Sequence, residues 1–491
     1  ERATSRASRS AGRVLTSGSQ RAGSLLVFTM PSKALVVLGA QWGDEGKGKI
    51  VDVLCKDMDI VARCQGGSNA GHTIKVGKSV YKFHLLPSGL VNPHTECVIG
   101  NGVVIHLPSF FNEIEDMVNP PEGGEPLNVE GRILVSDRAH LVFDYHQWED
   151  GLREGMLGKK AIGTTKRGIG PTLSSKANRT GLRVGDLYHF DMFEAKLRAN
   201  LASKEKRFGE RFKHSSYRGA PVGEIDIDAE VERYRQYAER LKPFVIDTVD
   251  YMQRAFESGK KVLIEGANAA MLDIDYGTYP FVTSSSCTVG GCFTGLGINH
   301  TNIDEVVGVV KAYTTRVGEG PFLTELTNQP TSPYYDAPKE GETPQYHDKQ
   351  GQHLEKVGHE IGTSTGRTRR CGWLDLVVVR YTTRINGYSS INVTKLDVLT
   401  NFPGGVLKIA VAYKHNGKVL SSFPSSLETL AECEVVYEEM PVWTEDISGC
   451  KTFNELPEAA RNYIDKIEKF SGVAVKWIGV GADRTATIRH H

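Results

Sequence analysis

The sequence has no excess of charge of either sign, since its 491 residues include 59 Lys plus Arg and 59 Asp plus Glu. It also lacks any run of about 18 apolar residues, which a membrane-spanning helix needs. Its eight cysteines include no Cys-x-x-Cys pair, and the nearest two, Cys287 and Cys292, have no second pair to complete a zinc site. Composition therefore indicates no nucleic-acid partner and no membrane partner, and favours a cytoplasmic protein with reduced thiols.

Acidic residues are nearly absent from residues 1–30, where Glu1 is the only one and Arg and Ser are frequent. This composition is typical of a transit peptide. We favour the alternative, a disordered leader ahead of a start at Met30, because ordered patterning begins only at Lys33. The sequence therefore predicts a leader at 1–30 and one domain that spans 31–491.

Short β-branched runs followed by helical stretches recur along 31–491. The predicted strands are 34–39, 96–106, 132–137, 262–266, 391–397 and 408–413. Several of these runs are apolar without alternation, as expected for strands that are buried on both faces of a parallel sheet. Amphipathic helices are predicted at 191–213 and 228–257, with Pro243 kinking or splitting the second. The pattern predicts an α/β fold, P-loop-NTPase-like, with a single large domain around a mainly parallel β-sheet and long active-site loops.

The segment 38–52, LGAQWGDEGKGKIVD, departs from a P-loop at one position. Gly43, Gly48 and Lys49 have the consensus spacing, but Ile50 stands where Ser or Thr would contact magnesium. A strand, a glycine-rich turn over 43–48 and a helix from KIVDVL still place backbone N–H groups around phosphates. The context therefore predicts a phosphate site whose metal ligand lies elsewhere.

Two carboxylates inside this loop, Asp44 and Glu45, are the obvious substitutes for the missing ligand, because magnesium prefers carboxylate oxygen. The side chains of Lys47 and Lys49 add positive charge to the loop. A carboxylate in a phosphate loop would otherwise repel the ligand. The presence of a carboxylate in this loop therefore suggests that it also acts as a base in the reaction.

Four further patches are rich in Gly, Thr, Ser and Arg: QGGSNAGHT, IGTTKRGIGPT, TYPFVTSSSCTVGGC and GTSTGRTRR. Glycine lets the backbone approach a ligand closely, hydroxyls donate to phosphate, and guanidinium groups bind oxyanions. Any one patch could be a plain surface loop. Four of them beside a P-loop-like turn indicate a highly charged ligand with several parts.

The tetrapeptide TKLD, 394–397, lies at the end of a predicted strand and resembles the guanine-reading element of GTP-binding proteins. A carboxylate such as that of Asp397 can accept from both N1–H and the 2-amino group of guanine, a pair that adenine does not offer. The alternative is an ordinary strand-end Asp that starts a turn. Combined with the phosphate loop, the motif indicates GTP.

Jointly, QWGDEGKGK, QGGSNAGHT, IGTTKRGIGP, LDIDYGTYPFVTSS, STGRTRRCGWLD and TKLD resemble the adenylosuccinate synthetase family of the eukaryotic type. The resemblance covers essentially all of 31–491. It implies a GTP-dependent ligation of IMP and L-aspartate that gives adenylosuccinate, GDP and phosphate, the first committed step of AMP synthesis from IMP. It further implies a 6-phosphoryl-IMP intermediate, one Mg²⁺ per subunit and a homodimer.

The resemblance assigns catalytic roles to Asp44, as the base at N1 of IMP, and to His72, as the general acid. A solvated side chain is the alternative for a lone His in a glycine-rich loop. Magnesium would be held by Asp44 and the carbonyl of Gly71, which accounts for Ile50.

The resemblance also assigns three sets of contacts. For GTP, with GTP as co-substrate, they are Gly43, Asp44, Glu45, Gly46, Lys47, Gly48, Lys49, Gly71, His72, Thr73, Arg369, Lys395, Leu396, Asp397, Gly479, Val480 and Gly481. For IMP they are Asp44, Glu45, Gly46, Lys47, Asn69, Ala70, Gly71, His72, Thr165, Arg179, Asn268, Thr283 and Arg367. For aspartate they are Thr363, Ser364, Thr365, Gly366, Arg367, Thr368 and Arg369. Arg179 would reach the site of the neighbouring subunit, and Asn268 stands where bacterial members carry the longer Gln.

Two other interpretations stay open on the sequence. One is a nucleotide-dependent ligase for another purine or carboxylate substrate, and the other is a regulatory GTPase. The loops that resemble IMP and aspartate sites count against the GTPase, which needs no second substrate.

Overall fold

A central sheet of ten strands organises the chain within the residues that the computed structural model describes. Those residues are 32–76, 79–121, 124–158, 161–209, 216–217, 220–221, 226–326, 349–362, 366 and 368–491. The predicted leader, 1–30, lies outside them, as do the predicted site residues Thr363, Ser364, Thr365 and Arg367.

The strands are numbered in chain order. They are β1 Ala34–Gly39, β2 Ile60–Arg63, β3 His72–Val76, β4 Ser79–Phe83, β5 Glu96–Ile99, β6 Val104–His106, β7 Ile133–Ser136, β8 His140–Val142, β9 Ser216–Tyr217, β10 Ala220–Pro221, β11 Val245–Ile246, β12 Val262–Glu265, β13 Ile303–Lys311, β14 Thr314–Arg316, β15 Arg370–Gly372, β16 Leu374–Asp375, β17 Ser390–Thr394, β18 Val406–His415, β19 Lys418–Val419, β20 Glu434–Pro441, β21 Val475–Gly479 and β22 Thr487–Arg489.

The α-helices are numbered in the same way. Over the described ranges they are α1 Lys47–Leu54, α2 Leu107–Val118, α3 Asp144–Leu157, α4 Ile169–Ala177, α5 Phe190–Phe208, α6 Ile227–Leu241, α7 Thr248–Glu257, α8 Val289–Leu296, α9 Lys349–Val357, α10 Leu376–Asn386, α11 Leu427–Ala431 and α12 Glu458–Ser471.

The central sheet has the strand order β11-β7-β5-β2-β12-β1-β13-β17-β21-β22. Neighbours are parallel throughout, except that β22 runs antiparallel to β21 at one edge. Crossover connections between parallel strands carry helices onto both faces of such a sheet. The fold is therefore α/β with a large, mainly parallel central sheet, as predicted.

Strand β1 shows why these apolar runs become central strands. Val36 and Leu38 pack into the largest core cluster on one face, while Val37 packs on the other face with Ile50 and Val51 of α1. All five side chains are at most 2% exposed. A strand that buries both faces has no need of polar alternation, which explains the continuous run ALVVLG.

The predicted strand 96–106 is wrong as a single element. It divides into β5, inside the central sheet, and β6, which pairs separately with β8. The break contains Gly100 and Gly102, where an added Cβ would lie 2.3 and 2.1 Å from the carbonyl oxygens of Gly295 and Cys64. The chain turns away there because the backbones touch, and only glycine permits that approach.

The other predicted elements have different outcomes. The helix predicted at 228–257 is split around Pro243, as expected: α6 ends at Leu241, a 3₁₀ turn follows, and α7 begins at Thr248. The strand predicted at 408–413 forms as β18, but in a smaller mixed sheet with β16, β19 and β20. The remaining predicted strands are confirmed within about two residues, except that 391–397 ends at Thr394.

The parallel arrangement brings several loops to one edge of the sheet. Strands β1, β2, β12, β13 and β17 all end there, because parallel neighbours share their carboxyl edge. Ligands of open α/β sheets bind outside the carboxyl ends of the strands. The segments that follow these five strands are therefore where a site is expected.

Candidate active site

The loop after β1 has the shape that phosphate binding requires. Gly43, Asp44 and Gly46 all adopt left-handed conformations, with φ of 91°, 58° and 86°. Helix α1 begins at Lys47, within the predicted turn 43–48, and Gly46 caps it without a side-chain hydrogen bond. The N–H of Lys49 donates to the Gly46 carbonyl at 3.2 Å, and Lys47 and Gly48 at the helix start line the cavity, which is where an anion site at a helix N-terminus lies.

Glu45 shapes this loop from the inside. It is fully buried, and its carboxylate accepts from the backbone N–H groups of Gln41 at 3.1 Å and Gly43 at 2.9 Å. The Nζ of Lys47 donates to the same carboxylate at 2.8 Å. Glu45 is not among the residues that line the cavity. Its predicted contacts with GTP and IMP therefore stay predictions, while its structural role in the loop is evident.

Lys49 also has a role that its motif position did not indicate. Its Nζ donates to the carbonyl oxygens of Gly481 at 2.7 Å and Ala486 at 2.8 Å. Burial lowers the pKa of Lys49 to about 8, against the opposing charges of Asp397 and Asp483. Lys49 thus ties the phosphate-type loop to the segment after β21.

A cavity of about 420 Å³ lies at this carboxyl edge. Its walls come from the loops that follow β1, β2, β12 and β17, and from the segment 161–170. The predicted site residues that line it are Gly43, Asp44, Gly46, Lys47, Gly48, Lys49, Asn69, Ala70, Gly71, His72, Thr73, Thr165, Asn268, Thr283, Arg369 and Lys395. One cavity thus unites residues that are more than 300 positions apart in the chain.

Asp44 presents its carboxylate to this cavity beside Arg369, whose Nε donates to Asp44 Oδ2 at 2.8 Å. The Asp44 side chain is 28% exposed, whereas that of Arg369 is 8% exposed. The carboxylate therefore keeps an accessible oxygen while the guanidinium fixes its direction. Such a group can accept a proton or bind a cation.

The residues fit the magnesium that the family resemblance implies. Mg²⁺ takes oxygen ligands, and Asp44 supplies a carboxylate while the backbone of Gly71 supplies a carbonyl at the same cavity. Soft donors are absent from the described lining, which contains no cysteine. This donor set suits a hard cation such as Mg²⁺.

His72 is held by a buried acid. Its Nδ1 forms a short hydrogen bond with Glu265 Oε1 and lies 3.3 Å from Ser88 Oγ. Glu265 is fully buried and also accepts from the Ser88 backbone N–H at 2.8 Å and hydroxyl at 2.6 Å. Burial alone would raise the pKa of Glu265, but the charge and hydrogen bond of His72 lower it to about 2. Glu265 therefore stays ionised and orients the imidazole, with Nδ1–H donating.

Gln65 joins the two loops that carry the side-chain amides of Asn69 and Asn268. Its side chain donates to the Ala267 carbonyl at 2.6 Å and accepts from the Ala267 N–H at 3.0 Å. This exchange fixes Asn69 and Asn268 on neighbouring loops. The Oδ1 atom of Asn268 is buried and has no hydrogen-bond partner within the described part of the chain. A buried amide oxygen without a partner favours a ligand contact at this position.

The segment 161–168, which carries Thr165, is held by two acids of α3. Asp150 accepts from the Gly168 N–H at 3.0 Å and the Thr164 hydroxyl at 3.1 Å. Glu154 accepts from the N–H groups of Ile162 and Gly163. These acids keep the loop closed onto the cavity wall, where Asp150 itself is part of the lining.

The TKLD segment turns sharply after β17. Lys395 adopts a left-handed φ of 58° and leads into a 3₁₀ turn, Leu396–Leu399. Burial raises the pKa of Asp397, and its Oδ1 is buried without a hydrogen-bond partner among the described residues. An unpartnered carboxylate oxygen is the feature that a guanine reader requires, because it leaves an acceptor for a base donor.

Other predicted contacts lie outside the cavity lining. They are Leu396, Asp397, Gly479, Val480 and Gly481 at the TKLD side, and Arg179, Gly366 and Thr368 elsewhere. Arg179 is exposed at the end of α4 with a φ of 64°. Gly366 and Thr368 are exposed too, and Thr368 forms a β-bridge with Ile361. Contacts of these residues with a ligand stay predictions.

Sequence reasoning missed the acids behind the binding residues. Glu265 was inside a predicted strand, and Asp150, Glu154 and Glu360 were not singled out. Asp150 and Glu154 have no motif of their own. A glutamate in an otherwise apolar strand, as in VLIEG, is the one signal that was available, because a buried carboxylate requires partners.

A glycine-rich strand–turn–helix, an accessible carboxylate and an acid-oriented histidine share one cavity at the carboxyl edge of a parallel sheet. These features define a nucleotide-dependent α/β enzyme of the phosphoryl-transfer class. The chain belongs to the adenylosuccinate synthetase family, whose model matches residues 36–488.

Individual relatives agree with this assignment. Adenylosuccinate synthetases from Schizosaccharomyces pombe and Candida albicans are 52% identical over 449 residues and 51% identical over 460 residues. These matches cover 91% and 92% of this chain, and 94% and 98% of the two relatives. The structure of a fully ligated adenylosuccinate synthetase from Plasmodium falciparum is 43% identical, with a TM-score of 0.82, and covers 94% of this chain and 100% of that one.

The predicted family and fold class are thereby confirmed. The family consists of ligases of purine biosynthesis that join IMP and L-aspartate with GTP as co-substrate, and the prediction that the chain is such a ligase is confirmed as well. Among the described residues, no helix is both long and apolar enough to cross a membrane.

Proposed function

We propose that this chain joins IMP to L-aspartate at the expense of GTP by way of 6-phosphoryl-IMP, in the cytoplasm. The observation that carries this proposal is the shared cavity, in which Asp44 and His72 lie with the amides of Asn69 and Asn268. A site for nucleotide hydrolysis alone needs no second set of polar groups opposite the phosphate loop.

Asp44 begins the reaction. The oxygen at carbon 6 of IMP is a poor leaving group, so it must first be phosphorylated. Asp44 takes the proton from N1, and the electron pair moves to O6, which attacks the γ-phosphate of GTP and releases GDP. The amine of aspartate then attacks carbon 6, and phosphate leaves with the oxygen. The balance is one adenylosuccinate, one GDP and one phosphate.

His72 stabilises the charge that develops on the transferred group. Because Nδ1 is occupied by Glu265, the imidazole has Nε2 to donate toward a ligand. Glu265 thereby fixes the direction of the ring, and the proton that His72 would give as general acid is the one on Nε2. Asp44 and the Gly71 carbonyl would hold Mg²⁺, which when bound neutralises charge on the phosphates.

The experiment that tests the proposal is GTP turnover with and without the other substrates. We expect GDP release only when IMP and aspartate are both present. Turnover with GTP alone would instead indicate a regulatory GTPase. Turnover that requires a purine or amino acid other than these would indicate a different ligase.

Asp397→Asn should change the preferred nucleotide. Guanine presents two donors, whereas the amide accepts at one atom and donates at the other, so one guanine donor would face a donor. A mismatch of buried polar groups costs about 1–3 kcal/mol, and more where a charge is involved. Xanthine has an oxygen in place of the amine, so the variant should prefer XTP to GTP with a near-normal maximal rate. Steady-state kinetics with GTP, XTP and ITP measure this, and a retained GTP preference would mean that guanine is read elsewhere.

We also propose a homodimer in which Arg179 contacts IMP in the neighbouring site. Two observations support this: Arg179 is exposed, and it is absent from the described lining of its own cavity.

Arg179→Leu should raise the KM for IMP by removing a charged phosphate contact. When Arg179→Leu subunits are mixed with Asp44→Asn subunits, activity should recover. In a mixed dimer, one of the two sites combines an intact Asp44 with an intact Arg179 from the neighbouring subunit. No recovery despite demonstrated subunit exchange would place Arg179 in its own site.

A further inference from the structure

Glu360 is a fully buried carboxylate surrounded by three cations. Its oxygens accept from Lys311 Nζ at 3.0 Å, from Lys395 Nζ at 2.7 Å and from Arg369 Nη1 at 2.8 Å. The hydroxyl of Tyr313 donates to it as well. The carboxylate of Glu360 therefore accepts hydrogen bonds from four side chains that belong to three separate segments of the chain.

Two of these cations belong to the candidate site and the third does not. Arg369 and Lys395 line the cavity, whereas Glu360 and Lys311 lie behind it. Arg369 contacts both carboxylates, because its Nη1 donates to Glu360 and its Nε donates to Asp44 at 2.8 Å. Glu360 thus reaches the reacting carboxylate through a single intervening guanidinium.

The backbone holds Glu360 in this place. Its carbonyl accepts from the N–H of Arg369 at 2.9 Å, and its own N–H donates to Glu355. Lys311, the last residue of β13, pairs with Thr394, the last residue of β17. Lys311 and Lys395, which follows Thr394, both donate to the carboxylate of Glu360. Glu360 is therefore fixed above the ends of two adjacent central strands.

Glu360 and its three cations form a cluster of net positive charge at the cavity wall and behind it. Burial lowers the pKa of Lys311 to about 8, although Glu360 opposes this shift, and the neighbouring Lys395 and Arg369 add to it. Burial would raise the pKa of Glu360, but the three cations lower it well below its ordinary value. Glu360 is thus ionised, and it is the nearest neutralising charge for Lys311.

We propose that Glu360 is a positioning residue for the nucleotide. It holds Arg369 beside Asp44 at the phosphate end of GTP, and it holds Lys395 at the guanine end, so that both cations are in place before GTP binds. The proposal rests on the proposed function. A merely structural role, the neutralisation of buried Lys311, is the competing explanation. The two differ in what the cavity-lining cations do when Glu360 loses its charge.

Glu360→Gln should raise the KM for GTP by about 10–100-fold, the range typical when a partner that orients a ligand-binding group is removed. The KM for IMP should rise less than the KM for GTP, because Asp44 is the one described IMP contact that Arg369 links to Glu360. Disturbance of the whole fold would raise both values together. Asp375→Asn is the matched control, since Asp375 is another buried carboxylate and lies outside the cavity lining.

A double variant, Glu360→Gln with Lys311→Met, removes the charge imbalance while leaving Arg369 and Lys395 without the charged acceptor that Glu360 provides. Our proposal expects thermal stability close to wild type but a KM for GTP that is still raised. Glu360→Asp retains the charge with one methylene less, and should fall between wild type and Glu360→Gln. Thermal unfolding and steady-state kinetics are measured on the wild type, Glu360→Gln, Glu360→Asp, the double variant and Asp375→Asn.

Recovery of the wild-type KM for GTP in the double variant would overturn the proposal, as would an equal rise for IMP and GTP in Glu360→Asp. These outcomes are distinct from failure of the proposed function. In that case the wild-type protein itself would not couple GTP turnover to IMP and aspartate. Binding of GTP to each variant, measured by calorimetry without the other substrates, gives the positioning effect independently of turnover.

Discussion

Asp44→Asn should abolish the ligation, with a fall in kcat of at least about 10²–10⁴-fold, the usual contribution of a positioned base. An amide cannot take the N1 proton of IMP, and it is a weaker ligand for magnesium, so the two losses act together. The loop should keep its shape, because the left-handed φ of 58° at position 44 is one that Asn adopts readily.

The measurement is single-turnover formation of GDP and adenylosuccinate, with GTP binding and thermal unfolding as controls. Arg369 would lose a charged acceptor at 2.8 Å, so a moderate change in GTP affinity is expected alongside the rate. Retention of more than about a tenth of the wild-type turnover would remove Asp44 from the role of base.

Local features of the chain were predictable because they depend on neighbouring residues. The strand, the glycine turn and the helix at 34–54 follow from patterning within about twenty positions, and they placed Asp44 correctly at the cavity. The four-residue motif TKLD likewise predicted Lys395, which lines the cavity, and Asp397, which lies outside the lining and whose contact with guanine stays a prediction. The structure adds that the Oδ1 atom of Asp397 lacks a partner among the described residues, which a motif cannot show.

The residues that orient the site were not predictable, because their contacts are distant in sequence. Glu265 lies 193 positions from His72, and Lys49 lies 432 positions from Gly481. No spacing rule covers such separations, since they depend on the strand order of the sheet. The division of 96–106 was missed for the same reason: the contact of Gly102 with Cys64 arises only when the strands assemble.

Two charged residues of the motif have structural contacts that the motif did not indicate. Lys49 occupies the P-loop lysine position, yet its ammonium donates to two carbonyls of the segment after β21. Glu45 appeared as a metal ligand candidate, yet its oxygens accept from the loop itself. A side chain in a phosphate motif can therefore hold the loop in shape, and the motif alone does not show this role.

His72→Asn should lower kcat strongly, by about 10²–10⁴-fold, with GTP affinity nearly unchanged, because its duty is to charge that develops during phosphoryl transfer. The amide of Asn is neutral and cannot act as the acid. Comparison of GTP affinity with the rate at saturation decides the role. If affinity collapses while the saturated rate does not, His72 is a binding residue.

Glu265→Gln is the matched variant for this pair, because it retains a hydrogen-bonding side chain but removes the charge that faces His72. Glu265 is fully buried, and its ionised form depends on the imidazole and Ser88. The amide that Glu265→Gln introduces can present its NH₂ group to Nδ1 as well as its oxygen, so the imidazole is no longer held in one orientation and one tautomer. The fall in kcat near neutral pH should be smaller, about 10–100-fold, as expected for a residue that acts through another. An unchanged kcat in Glu265→Gln would show that the buried acid only packs beneath the cavity and does not orient His72.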